Sequence, residues 1–200
     1  MKISVLSQIK DSNGVVFEFK DVIESVEGHT VIKFDNPELL AKLKTAAQNT
    51  VDRNNTSPNP YKGRINEFGN YIQKLFAEEC RKVGIQYSTP YNAADKSKES
   101  GYPDGFVQEG NYCCYVEVKT YANYSKESSL RTFYYSPSKT SKITLDASHI
   151  LIGFATKSEN AQGPHHIVDF HFTDMFSKKV RLKLEFNQNN KELYKEQDLI

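Results

Sequence analysis

A chain of 200 residues can bury one apolar core, and its net charge of +1, from 26 basic and 25 acidic side chains, excludes polyanion binding through the overall field. Apolar residues make up 38% of the chain and no apolar run approaches the roughly 20 residues that cross a bilayer, which excludes a membrane-spanning helix and membrane partners. Cys80, Cys113 and Cys114 form neither a disulfide framework nor a spaced zinc set, and the Met-Lys-Ile-Ser start has no signal-peptide apolar stretch, so a cytoplasmic protein is expected.

Twelve Tyr and twelve Phe without Trp tilt the composition toward strands, and an α/β or α+β domain is the expected class. Strands are expected over Ile3 to Ile9 and Val15 to Ile23, joined at the Asn13-Gly14 hairpin signal, with a third over Thr30 to Phe34. Asn36 can cap a helix that has Pro37 at its first position and Leu39, Leu40, Leu43 and Ala47 at helical spacing, fading near Thr50. Residues 53–63, with two prolines among turn formers, read as a loop separating an N-terminal part, residues 1–52, from a core over residues 64–200.

Between Arg64 and Val83 the apolar residues Ile65, Phe68, Ile72, Leu75, Phe76, Cys80 and Val83 form one stripe at period 3.6, the clearest helix in the chain, and Gly84 ends it. Strand, turn and long strand follow over Tyr102 to Val107, Gly110-Asn111 and Tyr112 to Tyr121. Ile150 to Ala155 is continuously apolar, as a strand covered on both faces would be. Alternation predicts two more strands, Ile167 to Phe172 and Val180 to Phe186, before a polar tail.

The chemistry is concentrated in the hairpin. With Gly110-Asn111 as a two-residue turn, Glu109 pairs with Tyr112, and stepping outward places Asp104 opposite Glu117. Lys119 shares the face of Glu117, about 7 Å along the strand. Opposed carboxylates repel and weaken a sheet unless a cation sits between them or one is protonated. A divalent ion resolves the conflict, and Mg2+ suits two carboxylates completed by water and phosphate oxygens. The similar Glu18-Phe19-Lys20 has no opposed acid, since Ile9 would face Glu18. A turn aspartate followed by a solvated strand face is the plainer account of the same three residues.

Pro103-Asp104 followed after twelve residues by Glu117-Val118-Lys119 resembles the PD-(D/E)XK nuclease superfamily. The resemblance implies a Mg2+-dependent phosphodiesterase on a central mixed β-sheet flanked by helices, restriction-endonuclease-like, with an N-terminal β-hairpin and helix extension. It further implies that Asp104 and Glu117 are metal ligands and that Lys119 lies near the scissile phosphate. A helix glutamate often completes such sites, which makes Glu67 a catalytic candidate. Glu67 lies opposite the apolar stripe, however, where a solvated helix face accounts for it equally.

Arg64 at the helix start could approach a phosphate. From Glu117 to Lys142 five basic residues stand against two acidic ones, interleaved with aromatics and short hydroxyls. Lys126, Arg131, Ser138, Lys139 and Lys142 are the DNA-contact candidates there. Histidines at 165, 166 and 171 lack metal-ligand spacing and are expected at the surface. Size and motif look most like a type II restriction endonuclease acting on double-stranded DNA, a homodimer on a symmetric site, with a cognate DNA methyltransferase acting on the same sequence. Residues 1–52 could supply dimer contacts or DNA recognition. A junction resolvase or repair nuclease on the same core and a non-catalytic DNA-binding module remain as alternatives.

Overall fold

The computed structural model describes residues 11–91, 101–128, 133, 135–137 and 140–185. Arg131, Ser138 and Lys139, the strand expected over Ile3 to Ile9 and the polar tail lie outside the described residues. The chain divides into two compact units, one running from Phe19 to Lys178 and the other joining the residues before and after it.

In the smaller unit, strand β1 (Val16–Glu18) pairs antiparallel with β8 (Lys179–Arg181), Phe17 facing Val180. Gly14 N–H donates to Leu182 O and Leu182 N–H to Val15 O, both at 2.8 Å. The strand expected over Val15 to Ile23 therefore ends at Glu18, and its partner comes from the far end of the sequence. Phe19–Glu27 is instead a helix, α1, because Phe19 and Ile23, four residues apart, put one apolar face fully inside the larger unit.

Among the described residues the larger unit is built on a six-stranded mixed sheet. After β2 (Val31–Ile32) come helices α2 (Pro37–Asn55) and α3 (Ile65–Lys82), then β3 (Gln86–Ser88), β4 (Gly105–Glu109), β5 (Tyr112–Ala122), β6 (Ala147–Ser158) and β7 (His165–Asp174). The strand order is β2-β6-β5-β4-β3. Strand β5 runs parallel to β6 over nine residue pairs; β2 takes Ala147 and Ser148 of β6 in parallel, and β7 takes Ile150 to Ser158 antiparallel.

Asn36 caps α2 as expected, its side-chain oxygen accepting from Leu39 N–H at 2.9 Å. The helix continues past Thr50 because its last turn is held by the sheet: Asn54 Nδ2 donates to His165 O, and the Asn55 amide exchanges two hydrogen bonds with the Ile167 main chain. Helices α2 and α3 both pack on the sheet face carrying Val107, Cys114, Val116, Val118, Ile150, Ile152 and Phe154. Residues 56–64 connect these two helices, so the first three residues of the expected loop are the end of α2, and both helices fall within the unit from Phe19 to Lys178. The opposite face is partly covered by α1, whose Phe19 ring meets Tyr102 and His149 edge-on. The result is the expected class, a central mixed sheet flanked by helices. Among the described residues no helix is long and apolar enough to cross a membrane.

Candidate active site

The hairpin forms in the register that the two-residue turn dictates. Gly110 adopts φ +58°, which L side chains rarely take, and the ladder pairs Glu109 with Tyr112 and Gly105 with Val116. Asp104 is one step beyond the last pair, opposite Glu117, where its carboxylate continues the ladder in place of a carbonyl: Val118 N–H donates to Asp104 Oδ2 at 2.9 Å. Glu117 and Lys119 form an ion pair on the same face. The Tyr87 ring can lie over β4 here because residue 105 is glycine; a Cβ there would lie 1.9 Å from the Tyr87 hydroxyl.

Burial makes this charge cluster unusual. Glu117 is 2% exposed, and its Oε2 is buried without a hydrogen-bond partner. Burial first, and then the charge of Asp104, raise the Glu117 carboxyl to about 7, against the opposing pull of Lys119. Asp104 is also raised, chiefly by burial, with Lys119, the Val118 N–H and Lys142 acting against the rise. Two acids that resist ionisation side by side, one with an unused buried oxygen, match the donor set of a divalent ion with two protein carboxylates. Among the described residues no group of three or more His, Cys, Asp or Glu is arranged to hold a metal.

Two comparisons with known proteins bear on this arrangement. The profile of the type II restriction enzyme MjaV family matches residues 13–197. A curated relative, the type II restriction enzyme MjaV of Methanocaldococcus jannaschii, is 32% identical over 202 aligned positions, covering 91% of this chain and 86% of the relative. The chain belongs to the type II restriction enzyme MjaV family.

Around the acid pair of this restriction enzyme the other candidates take different places. Glu67 is half-exposed in the first turn of α3 and pairs with Arg64 at 2.8 Å, which holds its carboxyl below the ordinary range. Arg64 and Glu67 thus engage each other at the helix start. Lys126, just beyond β5, approaches His171 Nε2 at 2.9 Å, and His171 pairs in turn with Asp169 at 3.1 Å. His171 stands in register with Gly153, which stands in register with Lys119, so this group lies two strands from the lysine on the same sheet face. Lys142 turns inward: it is 7% exposed and its Nζ donates to Gly101 O at 2.7 Å and Pro103 O at 3.0 Å.

The expectation that His165 lies at the surface is corrected, since it is buried with one ring nitrogen 2.8 Å from Gly63 O and the other 2.5 Å from Ser158 Oγ. Sequence reasoning also missed the aromatic floor beside Asp104. Tyr102 Oη meets His149 Nδ1 at 2.5 Å, the two rings stack, and Tyr115 closes the other side. Burial lowers His149 to about 3, so the ring is neutral where it shares a hydrogen bond with the Tyr102 hydroxyl. The signal available was the order Tyr-Pro-Asp with a histidine one position before the apolar Ile150 run, too short a pattern to single out.

Proposed function

We propose that the chain is a Mg2+-dependent endonuclease of PD-(D/E)XK type that hydrolyses phosphodiester bonds of double-stranded DNA at a specific sequence. The observation carrying this reading is the buried, unpartnered Glu117 Oε2 set across from Asp104 with Lys119 on the same face. Asp104 and Glu117 would hold the ion, which when bound offsets charge developing at phosphorus and lowers the pKa of water. Lys119 retains a 24% exposed side chain, so its ammonium can leave Glu117 for a phosphate oxygen or orient an attacking water. The wall of Tyr102, Tyr115 and His149 excludes solvent from one flank and strengthens every charge interaction there.

DNA contacts are assigned to Arg64, Lys126, Arg131, Ser138 and Lys139. Sequence-specific cutting of a symmetric site requires two copies, which favours a homodimer in the cytoplasm beside a methyltransferase that protects the same sequence. The test is incubation of the purified chain with plasmid and Mg2+, alongside Asp104→Ala and Lys119→Ala. Discrete fragments from the parent and none from either variant are expected. An uncut plasmid, or undiminished cutting by the variants, would reject the reading.

A further inference from the structure

Lys142 is a DNA-contact candidate by sequence, standing at the end of the basic segment that follows β5, yet its ammonium is used inside the fold. The two carbonyls it holds, Gly101 O and Pro103 O, flank Tyr102 and immediately precede Asp104. Tyr102 between them is itself fixed by its hydroxyl on His149 and by stacking on that ring. The mount of Lys142 is rigid as well. Ile143 is buried, its N–H donates to Ser141 Oγ at 2.9 Å, and the next N–H, of Thr144, donates to the Tyr115 hydroxyl at 2.8 Å. Tyr115 precedes Glu117 by two residues on the same face of β5. The lysine therefore ties the segment bearing one acid to the strand bearing the other.

We propose that Lys142 is a positioning residue for the ion site: it fixes the main chain from Gly101 to Pro103 so that Asp104 is presented to Glu117. This rests on the reading of the two acids as ion ligands. The Lys142 ammonium also acts on Asp104 through its charge, against the rise that burial imposes on that carboxyl. Its charge and its geometry make opposite predictions about ion binding. A lysine acting through charge alone repels a divalent ion, so its removal tightens binding. A lysine that positions a ligand loosens binding when removed.

The experiment measures Mg2+ affinity of the DNA-free full chain by titration calorimetry in the parent, Lys142→Met and Lys142→Gln, with circular dichroism to confirm folding. Binding of a random-sequence duplex in EDTA is read in parallel by fluorescence anisotropy. Outer-shell partners of metal ligands typically carry about 10- to 100-fold in affinity. A loss of about 10-fold or more is expected for Lys142→Met and a smaller one for Lys142→Gln, with duplex affinity unchanged and kcat falling while KM holds. Unchanged or tighter Mg2+ binding would overturn the proposal. So would a parallel loss of duplex affinity, which makes Lys142 a DNA contact, or failure of both variants to fold, which makes it a residue of the fold alone. A parent chain that does not bind Mg2+, or Asp104→Ala that binds it as well as the parent, would instead reject the ion site itself, and this inference with it.

Discussion

Replacing Glu117 by glutamine is expected to stabilise the enzyme at alkaline pH while ending its activity. The glutamate carboxyl is raised from 4.5 to about 7, so the folded chain holds that proton more tightly than the unfolded chain does. The resulting penalty is absent below pH 4.5, accumulates as pH rises toward about 7, and is complete above it. With each tenfold change in proton affinity worth about 1.4 kcal/mol, the penalty is about 3 kcal/mol. Glutamine mimics the protonated form, so Glu117→Gln escapes it. For a chain of this size that corresponds to a Tm about 6–12 °C above the parent at pH 8. Near pH 4.5 the two proteins should melt together. The assay is thermal melting followed by circular dichroism at pH 4.5 and pH 8 in EDTA. A variant no more stable than the parent at pH 8, or a gap of equal size at both pH values, would refute the account of Glu117 as a buried charge held against its preference.

Two further outcomes follow from the same packing. Gly105→Ala places a Cβ 1.9 Å from Tyr87 Oη and 2.2 Å from its Cζ, which overpacks the β3–β4 contact by about 1–3 kcal/mol; chemical denaturation should show that loss, and adding Tyr87→Leu should recover part of it. His149 is lowered from 6.5 to about 3, so the stability it contributes is whole above pH 6.5 and is lost as pH falls toward 3. His149→Gln, which keeps a hydrogen-bonding partner for the Tyr102 hydroxyl but does not titrate, should flatten the acid side of the stability profile between those values, and an unchanged profile would count against a neutral buried ring.

The centre of the site was legible because its geometry is local. A two-residue turn at Gly110-Asn111 and the alternation of strand side chains suffice to set Asp104 across from Glu117, and no distant part of the chain enters. The α3 stripe and the Asn36 cap were legible for the same reason. What failed was decided by tertiary partners. Val15 to Ile23 carries strand formers after a hairpin signal, but Phe19 and Ile23 are four apart and find an aromatic floor to cover, so the second half winds into α1. The last turn of α2 survives among turn-forming residues because β7 offers main-chain partners to Asn54 and Asn55. Lys142 read as a DNA contact because composition counts charges without saying which way a side chain points; the Tyr115 hydroxyl and the buried Ile143 hold that segment inward.

The outer border of the large sheet is β3, three residues long, with Gln86 and Ser88 exposed. So brief and polar a margin gives another molecule almost nothing to zip onto, which protects the nuclease from stacking into fibrils through that side. The same brevity leaves a second copy of the chain little main chain to extend the pleat from at this edge.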